Sequence, residues 1–345
     1  MRVHKLSSMV LAAAFLTSAV AVSQAATDVF NMGGVRDPLT GTWTGIASLE
    51  TVWVGNAGNT ADTTGFGSVS YAYNISKYEV TAGQYAEFLN AVAKTDGYGL
   101  YNSDMWDRGD GCHIRRGGSS GSYTYSVASD YANRPVNFVS FWDAARFTNW
   151  LNNGQDNGDT ETGAYTLTDA WPVLPIARNT DWKWAVTSEA EWYKAAYYDL
   201  NKSGGAGYWQ YPTKHDNPEA PGRDMADISG NNANIYDTPF PIDSGKYTTV
   251  VGEFQNSSSP YGTFDQGGNV QEWVEPDVWG RLRGGSYLYN AYQLASSHPY
   301  GQDPNEEDAI IGFRVASVPE PSTLALIGVG AIGLLGFLWR RRKPA

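Results

Sequence analysis

The sequence predicts a loop-rich fold in which short helices and strands are held together by aromatic packing, and three observations carry that expectation. The 345 residues include 38 Gly, 22 Tyr and 13 Trp, which supply turns and large rings in place of long periodic segments. One period-2 stretch precedes the first helical pattern. Three helix starts then repeat one construction, a Ser or Thr followed three residues later by a side chain that can reach back to it.

In chain order, Val69, Tyr71, Tyr73 and Ile75 alternate with Ser70, Ala72 and Asn74, the pattern of a half-buried strand. Thr81 and Gln84 then form a capping box, and Tyr85, Phe88, Leu89 and Val92 fall at i, i+3, i+4 and i+7, predicting an amphipathic helix that ends near Lys94. Ser140 with Asp143 opens a second helix, with Phe141, Ala144, Ala145, Thr148 and Leu151 along one side and Asn152-Asn153-Gly154 as its stop. Ser188 with Glu191 opens a third, which turns Trp192, Ala195 and Ala196 inward. All three helices read as core packing. Residues 95–135, 152–170 and 200–265 read as irregular, with short strands at most and no long repeat.

The two ends read as addressing segments. Arg2 and Lys5 precede the apolar stretch Met9 to Val22, and Ser23-Gln24-Ala25 offers small residues for cleavage, so residues 1–25 are expected to be a signal peptide. At the far end Leu324 to Trp339 is an apolar run of sixteen residues followed by Arg340, Arg341, Arg342 and Lys343. A full span takes about 20 residues. The whole chain carries a net charge of −12; setting aside six basic residues and one acidic residue at the ends leaves −17 on residues 26–317. That balance disfavours nucleic acid as a partner, since phosphate binding draws on clustered Lys and Arg. Cys112 is the single cysteine, so no disulfide holds the chain.

Six segments appear in series: Tyr78-Glu79-Val80-Thr81 with Gln84-Tyr85 and Phe88-Leu89; Arg134-Pro135-Val136-Asn137-Phe138-Val139-Ser140-Phe141-Trp142-Asp143-Ala144; Ser188-Glu189-Ala190-Glu191-Trp192; Gly268-Asn269-Val270-Gln271-Glu272-Trp273; Arg283-Gly284-Gly285-Ser286; and Ile311-Gly312-Phe313-Arg314. Together they resemble the formylglycine-generating enzyme (sulfatase-modifying factor) family over residues 50–317. The resemblance implies an α+β fold, the loop-rich variant of the C-type-lectin fold. Residues 318–345, with Pro319-Glu320-Pro321, the apolar run and the Arg cluster, resemble a PEP-CTERM sorting signal. That second likeness implies processing by signal peptidase and exosortase, and delivery to the surface or extracellular matrix of a bacterium after transient membrane anchoring. A plain C-terminal anchor is the alternative.

The family resemblance also implies structural calcium, an ion that takes six to eight oxygens. It assigns Asp265 and Glu272 as side-chain ligands with Gly268 and Val270 giving carbonyls, and a second set of Asn234, Ile235 and Asp243. The acidic stretch Asp156 to Glu161 reads as a solvated charge run. Formylglycine-generating enzymes oxidise a substrate cysteine with O₂ on copper held by two cysteines, soft ligands suited to Cu(I). Counting from Ser286, the matching positions are Tyr289 and Leu294, and Gln271 stands where the family has an aromatic. Copper is therefore not expected, and no catalytic residue is assigned.

Cys112-His113 invites a nucleophile or metal reading, but adjacent side chains point apart and no second soft ligand exists. His113, His215 and His298 are too scattered for a three-histidine iron site. No nucleotide, zinc-protease or serine-hydrolase motif stands out. The expectation is an exported, surface-directed module without the copper site that binds a ligand, such as a glycan or matrix polymer, or serves structurally. The candidate surface spans residues 287–309, with Ser286, Tyr287, Tyr289, Tyr292 and Tyr300 as contacts. Aromatic packing is the competing role for those tyrosines. An oxidase acting on protein or small-molecule thiols with a rearranged metal site is the alternative function.

Overall fold

The computed structural model describes residues 48–155, 159–167, 173–226, 229–243 and 245–318, and the backbone of three short strands before residue 48. The expected signal peptide and nearly all of the sorting segment lie outside the described residues.

The first strands are β1 (Val29–Phe30), β2 (Val35–Arg36), β3 (Trp43–Thr44), β4 (Leu49–Val54) and β5 (Tyr73–Ser76). Helix α1 (Ala82–Val92), the single turn α2 (Asp104–Asp107), the hairpin β6 (Ile114–Gly117) and β7 (Thr124–Val127), and helix α3 (Phe141–Asn152) follow. Then come β8 (Trp184–Val186), α4 (Glu189–Tyr197), β9 (Tyr198–Asp199) and β10 (Gly207–Tyr208). The last part holds β11 (Gln271–Val274), β12 (Gly280–Arg283), a 3-10 turn at Ala291–Leu294, β13 (Tyr300–Gln302), β14 (Ile311–Phe313) and β15 (Val315–Ser317). This is an α+β fold with short elements.

All three expected helices start at their capping residues. Thr81, Ser140 and Ser188 each accept a hydrogen bond from the backbone N–H three residues on, at 3.2 Å, while Gln84, Asp143 and Glu191 accept in return from the cap N–H at 3.0, 2.8 and 2.7 Å. Each reciprocal pair satisfies N–H groups that the first helical turn leaves without partners. The expected strand over Val69 to Ile75 is shorter and shifted, since only Tyr73–Ser76 pairs with β4. Val69 is instead tied into a loop by Gly58 N–H donating to its carbonyl at 2.8 Å. The irregular stretch 95–135 contains the β6–β7 hairpin.

Two sheets frame the molecule. One has the order β1-β4-β5-β15-β8 and the other β13-β12-β11-β14, with β11 parallel to β14 and antiparallel to β12. Between helices and sheets lies an aromatic core: the ring of Phe88 is 5.4 Å from both Phe147 and Trp150, and Phe147 is 5.3 Å from Phe313 on β14. Such pairs add about 0.5–1.5 kcal/mol each beyond burial. Trp273 of β11 is fully buried and its indole N–H donates to the Val139 carbonyl at 2.9 Å, which ties the second sheet to the entrance of α3.

Candidate functional site

Two glycine-rich turns meet at the start of β11. Gly268 N–H donates to the Gly284 carbonyl at 2.9 Å and Tyr287 N–H to the Asn269 carbonyl at 3.0 Å, so the Gly-Asn-Val turn and the Gly-Gly-Ser turn are clamped together. A side chain on Gly285 would meet Leu294 at 2.9 Å, and its φ of 67° suits glycine. The chain after this turn is thereby pressed onto the 3-10 turn at Ala291–Leu294. Beside the clamp is a cavity of about 190 Å³ lined by Gln271, Tyr289, Gln293, His298, Pro299 and Tyr300.

Two buried amide oxygens of the lining residues lack partners. Gln271 is 3% exposed and its side-chain carbonyl Oε1 makes no hydrogen bond, nor does Gln293 Oε1. A buried amide oxygen without a donor costs about 1–3 kcal/mol. The Tyr289 hydroxyl is pushed above its ordinary pKa by burial, then by the neighbouring Tyr300 and Asp308, so it stays protonated and able to donate.

The structure separates the residues expected to contact a ligand. Tyr289 and Tyr300 line the cavity, and Tyr292 stands at its edge with its ring 4.2 Å from that of His298. Ser286 and Tyr287 do not face it, which corrects the expectation for both. Ser286 is fully buried and its Oγ accepts from Leu288 N–H at 3.2 Å, a turn-stabilising role. Tyr287 is fully buried, 5.5 Å from the ring of Tyr247. Gln293, His298 and Pro299 lie within the expected surface of residues 287–309 but were not singled out by sequence reasoning, which treated Gln271 as the loss of a motif residue. Gln271 and Gln293 sit in different segments, and nothing in either segment announces their meeting.

Copper does not fit the donor set. Leu294 is fully buried in an apolar cluster with Tyr211, Ala233, Ile235 and Ala295, and Tyr289 offers only a protonated phenol. Cys112 is buried elsewhere, its Sγ 3.9 Å from the Asn137 carbonyl, and burial pushes the thiol up to about 11. His113 stacks on Tyr131 with ring centroids 4.0 Å apart. Neither residue is placed for catalysis.

Two of the three carboxylates expected to ligate calcium, Glu272 and Asp243, are held by arginines. Glu272 and Arg314 are both fully buried; Nε donates to Oε2 at 2.5 Å and Nη2 to Oε1 at 2.6 Å, while the indole N–H of Trp192 donates to Oε2 at 2.6 Å. Asp243 pairs with Arg134. Asp265 Oδ2 accepts from Gly252 N–H at 2.5 Å, and burial pushes its acid up to about 6. Gly268 lies against the Asn234 backbone, Ile235 packs with Leu294, and Val270 is buried against Gly312. Asn234 alone presents an unpartnered buried oxygen, Oδ1, while its amide donates to the Tyr247 carbonyl at 2.9 Å. Arranged in this way, the two ion-paired carboxylates do not fit a divalent cation, which would be repelled by the guanidinium groups already there. Chelation with EGTA is therefore expected to leave the melting temperature unchanged in a thermal scan. A fall of several degrees would show that calcium displaces the arginines.

Glu79 of the first motif joins this buried group. Neither of its carboxylate oxygens has a hydrogen-bond partner in another residue, and burial, then Asp265 and Glu272, hold its pKa well above the carboxylate range. It is a neutral acid in the core, which removes the cost of burying a second charge.

The class is an α+β scaffold with a small amide-lined cavity beside a Gly-Gly-Ser turn. Residues 57–318 match the sulfatase-modifying factor enzyme 1-like domain, and the chain belongs to that family. Residues 317–343 match the PEP-CTERM protein-sorting motif, which implies processing by an exosortase, export, and C-terminal membrane anchoring in a bacterium. Among the described residues no helix is long and apolar enough to cross a membrane. Among solved structures, Treponema denticola variable protein 1 is 18% identical, covers 85% of this chain and 99% of its own, and superposes with a TM-score of 0.50, a likeness of fold. CarF (21% identity, 79% and 99% coverage, TM-score 0.49) and PvdO from Pseudomonas aeruginosa (18%, 85% and 100%, 0.43) are also similar. No curated protein matches the chain.

Proposed function

We infer that this exported chain is a binding module that works outside the bacterial cell and carries out no thiol oxidation. The observation that carries the reading is the cavity itself, a recess lined by amides and aromatic rings: of the two residues matched to copper-binding cysteines, Tyr289 forms part of its wall and Leu294 is packed into apolar core. Small-molecule sites have this character, a concave surface with a few polar groups that fix orientation. The sorting motif supports this reading, since delivery to the cell surface or extracellular matrix would bring the recess among envelope and matrix polymers. Signal peptidase and exosortase are the processing partners of this route.

The test has two arms. The full chain, supplied with Cu(I), a cysteine-containing peptide and O₂, is expected to consume no O₂ and to form no formylglycine. The same chain should sediment with the insoluble matrix fraction of its host, and Tyr289→Trp, which fills the recess, should not. Peptide oxidation, or equal sedimentation by the filled variant, would overturn the reading.

A further inference from the structure

We propose that the recess over Gln271 takes one sugar unit of a neutral polysaccharide, and that Tyr292 is the platform for the adjoining unit. This rests on the reading of the recess as a binding site and adds the ligand class. The polar groups of its lining are the side-chain amides of Gln271 and Gln293, the hydroxyls of Tyr289 and Tyr300 and the ring of His298, groups that exchange hydrogen bonds with hydroxyls. Among the described residues its lining carries no Lys, Arg, Asp or Glu. A charged ligand would enter without a counter-charge, and a polyanion would also meet the −17 of the folded region. What remains is a neutral molecule rich in hydroxyls.

The walls suit the other surface of such a molecule. A sugar ring has hydroxyls around its edge and C–H groups on its faces, and the faces pack on aromatic rings. Tyr289, Tyr300 and Pro299 supply flat apolar walls, while Gln271 and Gln293 supply amides. At about 190 Å³ the space is below that of drug-sized sites, so one unit of a chain fits and the rest must continue outside. His298 connects the two places, because it lines the recess and also contacts the ring of Tyr292, which is 60% exposed. The Asn290 side chain fixes the turn that displays Tyr292 by accepting from its backbone N–H at 3.0 Å. An exposed ring held at the rim of an amide-lined recess has the layout of two neighbouring subsites.

The experiment is calorimetric titration of the full chain with dextran, mannan and galactan, their monosaccharides, and alginate as a polyanion. At least one neutral polymer is expected to bind, and alginate is not. Gln271→Met keeps the volume and removes the amide, and should weaken polymer and monosaccharide alike by about tenfold. Tyr292→Ala should weaken the polymer by up to about tenfold and leave the monosaccharide unchanged. Tyr300→Ala, at a half-exposed position, should weaken both, and serves if Gln271→Met fails to fold. Binding of alginate alone, or neutral binding that none of the three variants alters, overturns the proposal. If instead a peptide binds and Gln271→Met or Tyr300→Ala abolishes it, the recess stands as a binding site and the carbohydrate assignment falls.

Discussion

Arg314→Met is expected to destabilise the domain by about 3–5 kcal/mol, the range for breaking a buried ion pair by removing one partner. The guanidinium is fully buried, holds both oxygens of Glu272, and donates to the carbonyls of Ser76 at 3.0 Å and Phe264 at 2.9 Å. Its loss leaves Glu272 charged beside Glu79 and Asp265, with two orphaned carbonyls. The measurement is the denaturant midpoint at unchanged m-value. Lys202→Ala breaks a pair whose Asp216 side is half exposed, and such pairs contribute about 0–1 kcal/mol, so its midpoint should barely move. Combining Arg314→Met with Glu272→Leu should recover part of the loss, since an apolar pair needs no counter-charge. A double variant as unstable as the single one would place the effect in packing instead.

Gly268→Ala is expected to cost about 2–5 kcal/mol, from about 1–2 for the left-handed backbone and about 1–3 for overlap. Its φ is 85°, and a Cβ would lie 2.4 Å from the Asn234 carbonyl oxygen and 3.0 Å from its carbon, backbone atoms with no rotamer to move into. Gly262, with φ 86° and open space around it, is the control: Gly262→Ala should show only the backbone part. Because Gly268 is clamped to Gly284, the variant should also displace Gln271 and reduce ligand binding. A Gly268→Ala midpoint equal to that of Gly262→Ala would mean that the two turns separate without cost.

How much was legible in the sequence follows from the range of each interaction. The starts of α1, α3 and α4 depend on residues three apart, and Thr81–Gln84, Ser140–Asp143 and Ser188–Glu191 form as their spacing predicts. The strand over Val69 to Ile75 was only partly legible, because Tyr73 is positioned by its hydroxyl donating to the Glu191 carbonyl at 2.6 Å, far along the chain. Alternation cannot report a contact of that kind. At the site the same limit applies. The residues Tyr289 and Leu294 that follow the Gly-Gly-Ser turn could be read directly, whereas the burial of Ser286 and Tyr287, and the capture of Glu272 and Asp243 by arginines, depend on partners from other segments.

The position of β15 bears on the order of events during export. Val315–Ser317 is an interior strand, paired with β5 on one side and β8 on the other, and the sorting motif begins at residue 317. A chain threaded through a translocase from its N-terminus delivers this strand last, immediately ahead of the apolar tail. The first sheet therefore cannot close until the tail has reached the translocase, so completion of the domain coincides with arrival at the bilayer. Proteolysis of export intermediates halted before residue 315 should find β5 and β8 open, and the tail's own passage marks the moment at which the protein becomes resistant.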